Sequence, residues 1–475
     1  HVRAMGRWQY WSWIKWRVGD DDPSAIFDLS YGENATTIAL AFDWLHESLS
    51  DNERDEFVEI AQRRAITPYL DHVDPDRRTT KPGWFHARDS NWNTVCTGGA
   101  GMLALAMHEY LPEADRVLEL TEYSFEPFMK RPGQLDGGWV EGVGYWNYGM
   151  RYAFMYLLSH ERATGRTHRF INLKSTVKTL HFPLDFSPRG VPCSFGDVNQ
   201  WTPLAFHFFA AERLGETSLL RRLRSRLGDL SRLNPQWPLA PMMLLFDAIP
   251  SQTTDDPGTT GKAIPHAKVY RGLDWGLLRD REESPNLYLS IRSGDTAIPH
   301  GQPDLLSYHC VVKGEQVVKS LSGTSYLDTT FSPRRNEVFE LNPHAKNTIL
   351  VNGVGMETGK SGSIEKLNLP VGPALRLDAT DAYATVCRDK PMVDFVGRLC
   401  VLLDGQAMLI LDRIITPQAA QFETRLFTGG PVEAAKNSAV VAGRHGKGVA
   451  RITFASDDPG ALEQSQSIPT RPGPA

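Results

Sequence analysis

The stretch Asp136-Gly-Gly-Trp-Val-Glu-Gly-Val-Gly-Tyr-Trp-Asn-Tyr148, with the run that follows it to Ser159, decides how the rest of the chain is read. Asp-Gly-Gly, then Gly142 and Gly144, make a turn whose backbone passes close to a neighbour. A helical period takes over at once. Tyr145, Tyr148, Tyr152 and Tyr156 recur at spacings of three, four and four, which puts their phenols on one helical face. Tyr145 lies nearest the helix N-terminus, with Glu141 just ahead of it. A tyrosine at a glycine-lined helix start, open to a groove, suits proton transfer to a sugar oxygen. An aromatic stripe that packs a core, or offers a platform to sugar rings, accounts for the same spacing. The segment alone leaves both readings open.

Outward from this stretch the front half is helical in period. Tryptophan-dense Trp8 to Val18 ends at Gly19-Asp-Asp-Asp-Pro23, and Thr36 to Leu49 carries Ile38, Ala41, Phe42, Leu45 and Leu49 on one stripe. Ser50-Asp-Asn-Glu53 is a capping box for the next helix. Further helices are expected over 93–110, 114–129, 145–162, 172–181, 203–214, 218–227 and 239–246. Consecutive helical pairs without a fixed sequence period suit a closed (α/α) toroid of hairpins better than an open repeat array. From Ile249 to Pro265 the chain turns polar and rich in breakers. Beyond it, short alternating segments are expected as strands: 268–278, 286–292, 305–313, 348–351, 382–387, 399–403 and 407–415. The reading is an α+β multidomain protein: a toroid over 1–250, a linker over 251–265 and an antiparallel β-sandwich over 266–475.

A length of 475 residues is well beyond one ordinary domain, which fits two large units. The net charge of −5 argues against a nucleic-acid binder. The basic pairs Lys130-Arg131, Arg221-Arg222 and Arg334-Arg335 read as solvated faces or as contacts for an anionic polymer. Twelve Trp and 14 Tyr are a rich supply of faces that stack on sugars and equally fill cores. The 5 cysteines are widely spaced, with neither a disulfide framework nor zinc-finger spacing. No run is apolar for long enough to span a membrane. The start at His1, with no initiator Met or signal region, reads as a mature or truncated form.

Two other stretches carry candidate chemistry. Arg88-Asp-Ser-Asn-Trp-Asn93 precedes a helix that opens on small residues (Thr97-Gly-Gly-Ala-Gly101). Asn91 or Asn93 suits a helix cap, and an amide or helix N-terminus there also suits a bound carboxylate. Pro299-His-Gly-Gln-Pro-Asp304 puts His300 in a turn entering a strand, a place where a sheet edge faces a neighbouring unit.

Taken together, Asn91-Trp-Asn93, Asp136 to Tyr145, His300-Gly-Gln-Pro-Asp304 and Lys346-Asn-Thr-Ile-Leu-Val-Asn-Gly353 resemble the heparinase II/III-like polysaccharide lyases. Gly196-Asp197 after Pro192 resembles a further signature of the toroid, and the motifs keep the family's order over roughly residues 35 to 415. The resemblance implies an (α/α) toroid followed by an antiparallel β-sandwich, longer at its N-terminus than residues 1–250 supply. It implies β-elimination on a uronic-acid polysaccharide in a secreted or periplasmic setting. Heparan sulfate comes first, through the His-x-Gln-Pro-Asp form, ahead of alginate or hyaluronan. Tyr145 matches the catalytic tyrosine, as acid or as both acid and base, and His300 the catalytic histidine, as base or carboxylate partner. Asn91 and Asn93 stand where an amide neutralises the uronate carboxylate. Arg88, Trp92, Glu141, Tyr148, Gln302 and Arg335 are the candidate substrate-binding residues, and Lys346 and Arg334 are further candidates to meet sulfates or carboxylates.

Many relatives hold a structural metal in the sandwich, but the corresponding positions here read Gln302, Leu321 and Lys346, with His344 and Asp328 nearby. A zinc site needs three or four good ligands, so no metal or other cofactor is expected to be required. Two alternatives stay in view. One is a glycoside hydrolase on a helical toroid, using Asp136 with Glu141 or Asp197. The other is a sugar-binding protein with a decayed site.

Overall fold

The computed structural model describes residues 1–12, 28–77, 90–227, 264–322, 326–327, 329–383 and 393–457. Helices come first and antiparallel sheets second, an α+β arrangement. The described helices of the front half are α1 (Val2–Arg7), α2 (Leu29–Leu45), α3 (Asp51–Ala61), α4 (Thr67–Val73), α5 (Trp92–Ala106) and α6 (Ala114–Gln134). They continue as α7 (Val143–Thr164), α8 (Lys174–Leu180), α9 (Phe182–Asp185), α10 (Ala205–Arg213) and α11 (Thr217–Leu227). The expected helix over 239–246 and nearly all of the expected linker lie outside the described residues.

α5 is the centre of the helical half, packed by α2, α6 and α7, and every residue from Asn93 to Ala104 is buried. Its small residues are what allow this. A Cβ on Gly32 of α2 would stand 2.2 Å from the Val95 carbonyl, and one on Gly99 would stand 2.4 Å from the Gly32 carbonyl. The two backbones therefore cross in contact, at a spacing no larger residue permits. The capping box forms as read: the Glu53 carboxylate accepts from the Ser50 backbone N–H at 3.1 Å.

The strand half holds β1 (His266–Tyr270), β2 (Trp275–Arg279), β3 (Leu287–Arg292), β4 (Tyr308–Val312) and β5 (Glu315–Val318) as a five-stranded meander. β6 (Ile349–Val351) pairs with β11 (Phe422–Thr424). β7 (Ser363–Leu369), β8 (Gly372–Asp378), β9 (Phe395–Leu403) and β10 (Ala407–Ile415) form a second sheet in the order β10-β9-β8-β7. β12 (Val432–Ala435), β13 (Ser438–Ala442) and β14 (Val449–Thr453) form a third. Two expectations are corrected. The single strand over 268–278 is a hairpin, because Arg271-Gly-Leu-Asp274 turns with Gly272 at φ 79° and Asp274 at φ 58°. Of the strand expected over 382–387, Ala382 and Tyr383 instead fall in the one-turn helix α12 (Thr380–Tyr383), started by the Asp378 carboxylate accepting from the Thr380 N–H at 2.9 Å, and 384–387 lie outside the described residues.

The first sheet lies between the helices and the second sheet. Leu278, Leu289 and Ile291 share one core with Leu375, Leu377 and Leu402. On the opposite face, Tyr270, Leu273 and Trp275 belong to the helical core. This accounts for β2 being buried along its whole length, and for its sequence Trp-Gly-Leu-Leu-Arg lacking polar alternation. The segment 191–198 runs along this sheet: Ser290 Oγ donates to Cys193 O at 2.7 Å, and the His309 Nε2 lies 3.0 Å from Ser194 O. It leads to Asp197, at the junction between the two halves.

Candidate active site

Four chain segments meet at this junction. The N-terminus of α7 brings Glu141 and Tyr145, the N-terminus of α5 brings Asn91, the 191–198 segment brings Asp197, and the turn between β3 and β4 brings His300. Gly142 caps α7 at φ 87°, ψ −179°, a conformation natural only to glycine. A Cβ there would stand 2.6 Å from the Phe195 carbonyl. The turn thus fixes α7 against the segment that carries Asp197, and Gly144 N–H reinforces it by donating to Val198 O at 3.3 Å.

The Tyr145 and His300 rings stack face to face, with centroids 3.8 Å apart and planes 12° from parallel. His300 adopts φ 57°, unusual for a non-glycine residue, and its ring is held from both sides. Nδ1 lies 3.1 Å from Asp197 Oδ2, and Nε2 lies 3.8 Å from Glu141 Oε1. Asp197 is also met by Gln302 Nε2 at 2.9 Å and by an Arg335 guanidinium nitrogen at 2.5 Å. Burial alone would raise its pKa. The His300 hydrogen bond and the Arg335 charge outweigh burial and hold the carboxyl below the usual range, so Asp197 is ionised at neutral pH. An ionised carboxylate only accepts, which makes Nδ1 the protonated nitrogen of His300 and turns Nε2 toward Glu141.

The Tyr145 hydroxyl is buried and has no hydrogen-bond partner among the described residues. It sits in the first turn of a 22-residue helix. Glu141 is buried, and its Oε2 accepts from the Asn91 backbone N–H at 2.8 Å and Trp139 Nε1 at 3.0 Å. The N-terminus of α5 therefore already faces a carboxylate of the protein itself. Asn91 occupies the cap position of α5 without a side-chain capping bond, and its buried Oδ1 has no partner among the described residues.

Several sequence expectations are placed differently. Asn93 does not join Asn91: its Nδ2 donates to Ser124 O at 3.1 Å and Ser124 Oγ at 3.2 Å, in the contact with α6. Residues two apart on a helix point about 200° apart, so both amides cannot face one site. Neither caps α5. Gln302 and Lys346 are buried and engaged with each other and with neighbours rather than presented to solvent. Arg335 faces Asp197, and Arg334 pairs with Glu337 at 2.7 Å. Asp136 pairs with Lys178 at 2.7 Å, away from Glu141. Tyr148 donates to Glu33 and lies under the Arg151 guanidinium at 4.8 Å, beside Trp92. Arg88 lies outside the described residues. Sequence reasoning missed Glu33, Arg151 and Phe331, whose ring meets His300 edge-on at 5.9 Å. A charge at Arg151, inside the tyrosine face of α7, was the one available signal.

The positions where the resemblance puts metal ligands do not suit a metal. Gln302 Oε1 and the Leu321 carbonyl are directed at the Lys346 ammonium, itself a cation with no lone pair to give. His344 Nε2 faces the Gly353 carbonyl at 3.0 Å, and Asp328 is outside the described residues. Among the described residues no group of three or more His, Cys, Asp or Glu converges on one point. No described helix is long and apolar enough to cross a membrane.

Helices followed by antiparallel sheets, with this junction between them, make the fold that of the heparinase-like polysaccharide lyases. Among solved structures, Heparinase III superposes with a TM-score of 0.61 at 12% identity, over 88% of this chain and 60% of its own. The heparan sulfate lyase HepC from Pedobacter heparinus gives a TM-score of 0.55 at 13% identity, over 88% of this chain and 59% of its own. The chain thus spans about three fifths of the length of the structures it resembles. At such identities the likeness is one of fold. No protein-family sequence model and no curated protein matches the chain by sequence.

Proposed function

We propose that the protein is a polysaccharide lyase that cleaves a uronic-acid-containing polysaccharide by β-elimination. Its architecture on this reading is an (α/α) toroid over 1–250 and a β-sandwich over 266–475, joined by 251–265. The observation that carries the proposal is the stacked Tyr145–His300 pair with an unpartnered Tyr145 hydroxyl. Elimination breaks the C5–H bond and the C4–O4 bond and leaves a C4–C5 double bond, with no water consumed. It requires one group to take the C5 proton, one to protonate O4, and a means of bearing the charge that grows on the uronate carboxylate.

Tyr145 and His300 divide the two proton transfers. Tyr145 acts as the acid at O4. It also serves as base when the C5 proton lies on its side of the ring. His300 is the base or the carboxylate partner. Its Nδ1 proton is held by Asp197, and Glu141 stabilises the imidazolium formed at Nε2. The Asn91 side chain meets the uronate carboxylate. Trp92 and Tyr148, which pack against the same small cluster of Leu29, Val95 and Tyr152, are the sugar platforms on this reading. Heparan sulfate is the first substrate to test, since solved structures of this fold include enzymes that act on it, with alginate as the alternative. The setting is secreted or periplasmic.

The test is ultraviolet absorbance during incubation with heparan sulfate, heparin, hyaluronan, chondroitin sulfate and alginate. The unsaturated uronate product absorbs and a hydrolysis product does not. A rising signal on one polymer is expected. A flat signal accompanied by new reducing ends would replace the lyase with a hydrolase using Glu141 and Asp197.

A further inference from the structure

The three positions that carry no metal ligands in the sequence, Gln302, Leu321 and Lys346, converge in the fold. Lys346 is 1% exposed, and its ammonium donates to Gln302 Oε1, Leu321 O and, at 2.7 Å, Glu340 O. An ammonium has three protons, and each has an acceptor. The carboxylates of Asp304 and Asp197 add favourable charge, opposed by Arg292 and Arg335. Burial brings the lysine down to about 8, which leaves it protonated at neutral pH.

The arrangement has a direction. Lysine only donates, so Gln302 must turn its Oε1 to Lys346 and its Nε2 to Asp197, where the contact is 2.9 Å. Asp197 Oδ2 then holds His300 Nδ1 at 3.1 Å. The chain Lys346–Gln302–Asp197–His300 fixes the amide, the carboxylate and the imidazole in one sense. It connects the segment after β5, the turn between β3 and β4, and the helical half through three side chains. A divalent ion bracing such a turn would supply the same two things, positive charge and convergent oxygen contacts.

We propose that Lys346 is a built-in cation that takes the place of a metal ion, acting as a positioning residue that orients His300 through Gln302 and Asp197. The inference rests on the lyase reading for its kinetic consequence only. Lys346→Met keeps the length of the side chain and removes its charge. With the polymer that raises absorbance, kcat should fall about 10- to 100-fold with KM little changed, the size of effect seen when a group one step behind a ligand is lost. Gln302→Met breaks the same chain one link on and should give the same loss, and the double variant should add nothing further.

Two readouts need no turnover. Nitrogen-15 spectra of the histidine side chains should show His300 as the Nδ1-protonated tautomer in the wild-type protein and as a mixture in either variant. The wild-type melting temperature should be the same with EDTA and with added zinc. Wild-type kcat and tautomer in Gln302→Met would overturn the proposal, as would an EDTA-dependent fall in the wild-type melting temperature. If Lys346→Met does not fold, Gln302→Met decides the kinetics and the EDTA melt decides the metal. If no polymer is cleaved, the lyase reading fails while the tautomer and the melt still decide the role of Lys346.

Discussion

Tyr145 separates catalysis from stability more cleanly than any other residue of the junction. Its hydroxyl is buried without a partner, so Tyr145→Phe removes no hydrogen bond of the folded protein and relieves an unsatisfied group. The ring stays stacked on His300. Turnover should fall about 10²- to 10⁴-fold, the contribution of one positioned proton donor, while the melting temperature holds or rises slightly. Wild-type turnover in the variant, or a parallel collapse of the melt, would remove Tyr145 from the chemistry. At this scale the sequence singled out Glu141, Tyr145 and His300 at glycine-marked turns, and Asn91 just ahead of a helix. It hid what connects them. Asp197 is 103 residues from His300, 105 from Gln302 and 138 from Arg335, and Glu33 is 115 from Tyr148. Side chains that far apart leave no periodicity in the chain. Asn93 was misplaced for a simpler reason, since a motif written as letters carries no helical phase.

The elements show how the site is held. Two glycines bound α7, and they differ in what surrounds them. Gly142 has φ 87° with the Phe195 carbonyl 2.6 Å from any added Cβ, whereas Gly165 has φ 69° with nothing within 4 Å. Gly165→Ala should cost about 1 kcal/mol, the left-handed penalty alone, and leave activity unchanged. Gly142→Ala should cost about 1 to 3 kcal/mol in backbone strain and also displace the Phe195 segment, so that kcat falls with it. Urea unfolding beside initial rates for the two variants checks the contrast, and equal losses of activity would refute the docking role of Gly142. Helix positions were legible because 3.6-residue periodicity survives burial on one side. The first sheet was harder. It is covered on both faces, so β2 lacks alternation, and the β1–β2 turn is betrayed only by Gly272 and Asp274. The strands β7 and β8, with mixed polar faces, gave no pattern distinct from loop.

At the scale of the molecule, a second buried carboxylate besides Asp197 ties the helical and strand halves together. Asp185, at the end of α9, meets Lys268 at 2.8 Å, Arg222 at 3.0 Å and Arg279 at 3.1 Å. It also accepts from the Tyr270 hydroxyl at 2.8 Å, while the Tyr288 hydroxyl donates to its backbone carbonyl at 2.7 Å. Burial by itself would raise its pKa. Arg279, Lys268 and Arg222 together reverse that and hold it well below the ordinary carboxylate value. The sign of the pH dependence follows from that. A carboxyl whose folded pKa is depressed contributes stability that is fully present above its unfolded value, about 3.9, and that is lost as pH falls through the folded one. Asp185→Asn removes the charge, leaves three cations facing a neutral amide, and should cost about 3 kcal/mol at neutral pH, the lower end for breaking a buried pair. Lys268 is partly exposed, which argues for that lower end. Below about pH 4 the wild-type protein should lose stability more steeply than the variant, so the two urea midpoints converge in acid. Midpoints that stay equally far apart from pH 7 down to pH 2 would show that the ionised Asp185 carboxylate is not what joins the halves. The junction that places Asp197 and His300 opposite Tyr145 would then rest on its other contacts, among them the packing of Tyr270, Leu273 and Trp275 in the helical core and the hydrogen bonds of Ser290 and His309 to the 191–198 segment.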